Sequence, residues 1–202
     1  MLTLFHNRYS RSAPVRWALE ELQVPYELAE IASRGDYVKH GFAKAHPLML
    51  MPTLVDDGQP VFETAAICLY LADKYEKLAP PVSDLVQRGL HYQWCVFAVT
   101  ELDRHADELR RLVAVAPELR DETRINSIAG KLAQRGAMLN DHLLHRDHVL
   151  DGMFSMADIL LAYNLEKLKA FGLLNELPAL LTYLDRMRAR PSAMRARGEA
   201  GG

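Results

Sequence analysis

The sequence predicts an α/β domain followed by an all-α domain within one chain of 202 residues. Three observations carry this reading. Strand-like and helix-like runs alternate over the first 75 residues. Lys77-Leu78-Ala79-Pro80-Pro81 then breaks the pattern, because consecutive prolines are stiff and cannot continue a helix. Beyond the prolines the apolar residues recur only at helical spacing. The expected domains are residues 1–78 and 85–202, joined by a linker.

Leu2-Thr3-Leu4-Phe5 is a short apolar run that reads as a strand, and residues 16–23 are helical in composition. Pro25-Tyr26-Glu27-Leu28-Ala29-Glu30-Ile31 alternates with period two, the mark of a second strand. Residues 34–44, of mixed polarity with Gly35 and Gly41, predict a loop with a short or irregular helix. Pro52 precedes Thr53-Leu54-Val55; lacking an N–H, it must occupy a strand's first position or a special turn. Asp57-Gly58 closes a hairpin whose second strand stops at Glu63-Thr64. An acid and a hydroxyl thus stand before the helical run 65–75, a helix start suited to a polar ligand. The order βαβαββα, with the first two strands parallel and the hairpin antiparallel, is that of a thioredoxin-like domain.

In the second domain Trp94, Phe97, Glu101, Leu102 and His105 recur at helical spacing, and residues 85–112 suffice for one extended helix. Residues 122–144 make another, with Pro117 in the connection. Ser155 and Asp158 form a capping box with Asp in place of the usual Glu or Gln, and Phe154 is placed to staple onto Ile159. Such a cap stabilises by about 1 kcal/mol. Leu177-Pro178 and Arg190-Pro191 punctuate the remainder, and residues 195–202 are expected to fray.

The composition, 50% apolar and 25% charged, is that of a globular protein with a sizeable core. A net charge of −2 and a pI near 6.4 remove the electrostatic reason to expect nucleic acid or an anionic membrane as partner. No stretch approaches the roughly 20 apolar residues of a membrane span, and the N-terminus lacks the pattern of a secretory leader, so the expected location is the cytoplasm. Cys68 and Cys95 lie in apolar helical segments outside any ligand pattern and read as buried reduced thiols. His142, His145 and His148 share a drifting helical stripe, but a polar helix end beside Arg146 and Asp147 explains them without a metal.

Candidate chemistry lies between the first strand and the first helix, in Tyr9-Ser10-Arg11-Ser12-Ala13-Pro14-Val15-Arg16. Backbone N–H groups converge on ligands at such turns. Ser12 is a natural N-cap with Pro14 in the first turn, and a hydroxyl there can donate to a thiolate, whose charge strengthens the bond. A thiol of pKa about 8.5 is thereby drawn toward neutrality, which raises the nucleophile's population at pH 7. Ser10 is the alternative donor and Tyr9 a weaker one.

Met51-Pro52 with Glu63-Thr64 resembles the glutathione site of the cytosolic glutathione transferase family, and the domain order resembles that fold along the whole chain. Ser12-x-Pro14-x-Arg16 is similar to the bacterial and other serine-type members, the delta and theta classes in particular. The resemblance implies a cis Pro52, pairing of the Met51 backbone with the cysteinyl unit, and Glu63 and Thr64 on the γ-glutamyl end. By the helix-start match Ser12 is the thiolate donor; counting from the strand favours Ser10. Phe5 stands where tyrosine-type members need their tyrosine. The polar residues that usually hold the glycyl carboxylate are replaced by Met49 and Leu50, leaving His40, Lys39, Tyr37 or Arg34 for that end. The resemblance further implies an apolar electrophile pocket around Trp94, Phe97, Val99, His105 and Leu109 with Tyr163 or Leu165 opposite. It implies a homodimer through residues 65–75 and 90–103, and glutathione as co-substrate with no cofactor. The expected activity is conjugation of glutathione to hydrophobic electrophiles. The alternative is a regulatory or chaperone-like binding protein that kept the fold without the chemistry.

Overall fold

A computed structural model of the chain describes residues 1–198, apart from the side chain of Arg34. The chain divides into two compact units, Met1–Ala79 together with the residues from Ala189 onward, and Pro80–Arg188.

The first unit runs β1 (Leu2–His6), α1 (Ala13–Leu22), β2 (Tyr26–Glu30), α2 (Arg34–Lys39), α3 (Phe42–Ala45), β3 (Thr53–Asp56), β4 (Gln59–Phe62) and α4 (Thr64–Tyr75). Its sheet has the order β2-β1-β3-β4, with β2 parallel to β1 and the hairpin antiparallel. The parallel pair follows from the crossover through α1. The hairpin follows from Asp57 and Gly58, which take the positive φ values of 46° and 85° that a two-residue turn between twisted strands requires. One face buries Phe5, Ala29, Ile31 and Phe42, with Met51 and Val55 packed against them and the Phe5 and Phe42 rings stacked at 4.7 Å. Leu4, Leu54, Val15, Leu19, Ile67 and Leu71, from the strands, α1 and α4, are fully buried.

Register decides where function can sit. Phe5 pairs with Thr53, and Thr53 with Phe62. The C-terminal end of β1, the start of β3 and the end of β4 therefore lie side by side at one end of the sheet.

The second unit contains α5 (Leu85–Phe97), a π-helical segment (Ala98–Asp103), α6 (Arg104–Val113), a short 3₁₀ turn (Pro117–Leu119), α7 (Glu122–Leu143), α8 (Met156–Ala170) and α9 (Pro178–Arg188). The extended helix expected over 85–112 is present, widened by the π segment. A cause is visible on α8: the Asn164 amide donates to the carbonyl of Ala98 at 3.1 Å as well as to that of Leu160, and a side chain inserted into the ladder shifts its register. The capping box also forms, with the Ser155 N–H and hydroxyl donating to Asp158 at 2.8 and 3.0 Å. Asp158 accepts further bonds from the Val149 N–H at 2.8 Å and the Tyr183 hydroxyl at 2.9 Å, which makes it the polar centre of this unit.

Two expectations for the tail are corrected. The segment after Arg190-Pro191 forms α10 (Pro191–Arg197) and belongs to the first unit, although the sequence placed it in the helical domain. It is not frayed at Arg195, because Arg190 pairs with Glu21 at 2.7 Å and Arg195 with Glu20 at 2.9 Å, both on α1. Residues 199–202 of that tail lie outside the described residues. Of the side chains assigned to an electrophile pocket, Trp94, Leu109 and Leu165 are buried in the helical core, while Phe97, Val99, His105 and Tyr163 stay half-buried. The three histidines disperse: the His142 Nε2 meets the Val149 carbonyl at 2.9 Å, and His148 sets its edge against Phe154. Among the described residues no helix is long and apolar enough to cross a membrane, and no cluster of three metal-ligating side chains occurs.

Candidate active site

The turn from β1 into α1 is built by Asn7. Its side-chain amide donates to the Ile31 carbonyl at 2.8 Å, its side-chain oxygen accepts from the Tyr9 N–H at 3.0 Å, and its carbonyl accepts from the Ser10 N–H at 2.9 Å. The chain is thereby folded back so that both serines face the end of β1. Ser12 already has helical backbone angles and makes no capping bond to α1, contrary to its expected role as N-cap. Its hydroxyl turns inward, accepting from the Asn7 N–H at 3.1 Å and lying 2.8 Å from the His6 Nδ1 and 2.7 Å from the Ser10 Oγ. Ser12 is fully buried; Ser10 is half-buried and also lies 2.9 Å from the Asn7 carbonyl. Tyr9 is 87% exposed beneath the Arg8 guanidinium, and Phe5 is in the core.

His6 is buried, and burial first, then the charges of Arg16 and Arg8, bring its pKa down to about 4, so the ring is neutral at physiological pH. Neither His6 nor Asn7 is among the site candidates that the sequence offers. A signal for His6 existed, since it shares a strand face with Leu2 and Leu4 by the period-two rule, and a histidine at the third buried position of such a face needs a partner.

Across the same end of the sheet the Met51–Pro52 peptide is cis, and Met51 lies just outside the ladder, which starts at Thr53. The Thr53 hydroxyl donates to the Leu50 carbonyl at 3.1 Å, fixing the approach to the proline. Leu50 itself is exposed, as are Leu48 and Met49. Glu63 precedes α4 with φ 71° and ψ 122°, is exposed and makes no capping bond. That backbone region is costly for an L-residue, by about 1–3 kcal/mol, and such strain concentrates where a side chain must be aimed at a ligand. Thr64 opens α4 and is buried, with its hydroxyl 3.4 Å from the Arg11 carbonyl, which ties the helix start to the serine loop. His40 is half-buried at the end of α2. The Cys68 thiol is wholly buried and pushed up to about 12, an inert core group.

The structure thus gathers Ser10, Ser12, Met51, Pro52, Glu63 and Thr64 at one end of one sheet. His40 comes from a separate connection. The surface beside the cis-proline is apolar where Leu48, Met49 and Leu50 protrude. The gathered groups offer hydroxyls for an anion, an unpaired strand end for a peptide and a helix start with a carboxylate for an amino-acid head group.

Comparison with known proteins leads to the same place. Residues 1–73 match the family model of the glutathione S-transferase N-terminal domain. Glutathione S-transferase hmp2 of Hypomyces subiculosus is 30% identical across 94% of each chain. Glutathione S-transferase 3 of Schizosaccharomyces pombe is 34% identical over 103 residues, half of this chain and 43% of that one. Among solved structures, a glutathione transferase of Burkholderia graminis with two glutathione molecules bound per subunit superposes with a TM-score of 0.86 at 26% identity, covering 97% of this chain and 87% of that one. With a thioredoxin-like sheet, a helical unit and this full-length likeness, the chain belongs to the glutathione S-transferase family.

Proposed function

We propose that the protein stabilises the thiolate of glutathione for attack on hydrophobic electrophiles in the cytoplasm, with glutathione as co-substrate and no further cofactor. The observation that carries the reading is the convergence of two serine hydroxyls, the Met51–Pro52 strand end and the Glu63–Thr64 helix start at one end of the sheet. The Met51 backbone pairs with the cysteinyl unit in strand fashion. Glu63, strained and unbonded, receives the γ-glutamyl ammonium, and the free N–H groups at the start of α4, with the Thr64 hydroxyl, receive its carboxylate. The serine loop faces the cysteinyl sulfur. The thiol proton leaves to water, the sulfur lone pair forms the new S–C bond, and the leaving group departs with the bonding pair. The apolar surface at Leu48, Met49 and Leu50 replaces the polar contacts expected at the glycyl end, leaving His40, Lys39, Tyr37 or Arg34 to compensate.

The working enzyme is a two-fold homodimer, using the surface of α4 and residues 90–103, where Leu90, Tyr92 and Val96 are exposed on α5.

Calorimetric titration with glutathione, paired with turnover of a chloronitrobenzene, tests the reading. Saturable binding at one site per chain with release of chloride is expected. Binding without turnover of any electrophile would move the assignment to the non-enzymatic alternative, and no binding would end it.

A further inference from the structure

Two serines compete for one role in this loop, and the hydrogen bonds around them decide between them. A serine hydroxyl has one proton to give and two lone pairs to fill. Around the Ser12 oxygen stand the Asn7 N–H at 3.1 Å, the His6 Nδ1 at 2.8 Å, the Ser10 Oγ at 2.7 Å and the Asn7 carbonyl at 3.1 Å. The directions of the bonds to His6 and to Ser10 depend on which imidazole nitrogen of neutral His6 carries the proton. The other nitrogen, Nε2, is buried and finds no hydrogen-bond partner among the described residues. A proton on Nε2 would bury an unpaired N–H donor; a proton on Nδ1 leaves only an unfilled acceptor, the less costly choice.

With the proton on Nδ1, Ser12 accepts from both His6 and Asn7, and its lone pairs are full. Its own proton then goes to the nearer oxygen, that of Ser10. Ser10 accepts it together with the Ser12 N–H at 3.2 Å, so its lone pairs are filled as well. The Ser10 proton is left to rest on the Asn7 carbonyl at 2.9 Å or to swing outward. Two accepted bonds polarise the Ser10 hydroxyl and strengthen it as a donor. Ser12, fully buried, presents no surface to a ligand, whereas Ser10 does.

Resting on the thiolate reading above, we infer that His6 is a positioning residue that sets the direction of a donor chain, His6 Nδ1–H to Ser12 Oγ–H to Ser10 Oγ–H. Ser10 is then the catalytic hydroxyl that meets the glutathione thiolate, and Ser12 is its relay. Burial first, and then the charges of Arg16 from α1 and Arg8 from the loop, oppose a second proton on the ring, so the direction holds throughout the working pH range.

Two measurements test this, one of which needs no glutathione. Nitrogen-15 NMR of the imidazole in the ligand-free protein at pH 7 should place the His6 proton on Nδ1. A proton on Nε2 overturns the inference whether or not glutathione binds, and so separates its failure from that of the thiolate reading. The second compares Ser10→Ala, Ser12→Ala, His6→Asn and His6→Phe for glutathione affinity, kcat, and the pKa of the bound thiol. Ser10→Ala should lower kcat by roughly 10²-fold with affinity held within a few-fold. Ser12→Ala and His6→Phe should cost less, about tenfold, each raising the pKa of the bound thiol by about one. His6→Asn, whose amide N–H can stand where Nδ1 was, should recover most of the loss. A larger kcat loss in Ser12→Ala than in Ser10→Ala contradicts the chain, as does a folded His6→Phe with the wild-type thiol pKa.

Discussion

At the scale of one residue, the proposed role of Glu63 predicts a trade of stability for binding. Its φ of 71° is held without a side-chain capping bond to offset the strain. Glu63→Gly should therefore raise the stability of the ligand-free protein by about 1 kcal/mol, read from thermal unfolding, because glycine adopts positive φ freely. The same change should weaken glutathione by an order of magnitude or more in calorimetry. Glu63→Gln keeps the backbone cost and removes the charge; it should weaken glutathione and leave the melting temperature unchanged. A large loss of ligand-free stability in Glu63→Gln would make the carboxylate a structural group. The position of Glu63 was legible in the sequence because an acid-hydroxyl pair ended a strand just before a helical run. Its strain was not, since positive φ in a non-glycine residue leaves no trace in composition. The burial of His6 was legible from its strand face, but its neighbours were not: they depend on a loop that folds back on it, and that loop is held by Asn7 through a bond to Ile31, just past β2.

Among the elements, the ones read correctly were those whose signals are local. The hairpin needed only Asp57-Gly58, the crossover helix only its length, and α8 only Ser155 and Asp158. Residues 85–112 signal one extended helix, but its widening at Ala98–Asp103 leaves no local signal, because the contact at Ala98 comes from Asn164 of α8, a residue distant in sequence. Asn164→Leu should leave the Ala98 carbonyl without this donor in a buried place. The expected cost is about 1–3 kcal/mol in denaturant unfolding, with faster amide exchange over 98–103. Unchanged exchange there would show that the π segment does not depend on Asn164. Asp158 is the more severe case. Removing it strands the Val149 and Ser155 N–H groups, the Ser155 hydroxyl and the Tyr183 hydroxyl at once, so Asp158→Ala should cost well over the ~1 kcal/mol of an ordinary cap. Ser155→Ala should stay near that ordinary value, as compared by chemical denaturation.

For the whole molecule, what the sequence concealed was the membership of its last helix. Arg190-Pro191 reads as the start of a tail, yet Arg190 and Arg195 clasp Glu21 and Glu20 of α1, and no local rule pairs residues that far apart. The pH dependence of stability is likewise a property of the whole. His6 and His91 are both buried with pKa values lowered to about 4, by desolvation first and then by neighbouring arginines. Each binds a proton more readily unfolded, near pH 6.5, than folded, so their contribution is complete above about 6.5 and is lost as pH falls toward 4. A stability plateau extending down to pH 4 in urea titrations would contradict this. Light scattering should give about twice the chain mass of 22.8 kDa, and a clean monomer would reject the dimer. The central claim, that the serine loop holds glutathione as its thiolate, is met most directly by ultraviolet difference titration of the bound tripeptide between pH 5 and 9. The thiolate band should rise with a midpoint clearly below the free-thiol value of about 8.5. A band that rises only at the free-thiol value, in protein saturated with glutathione, would contradict it.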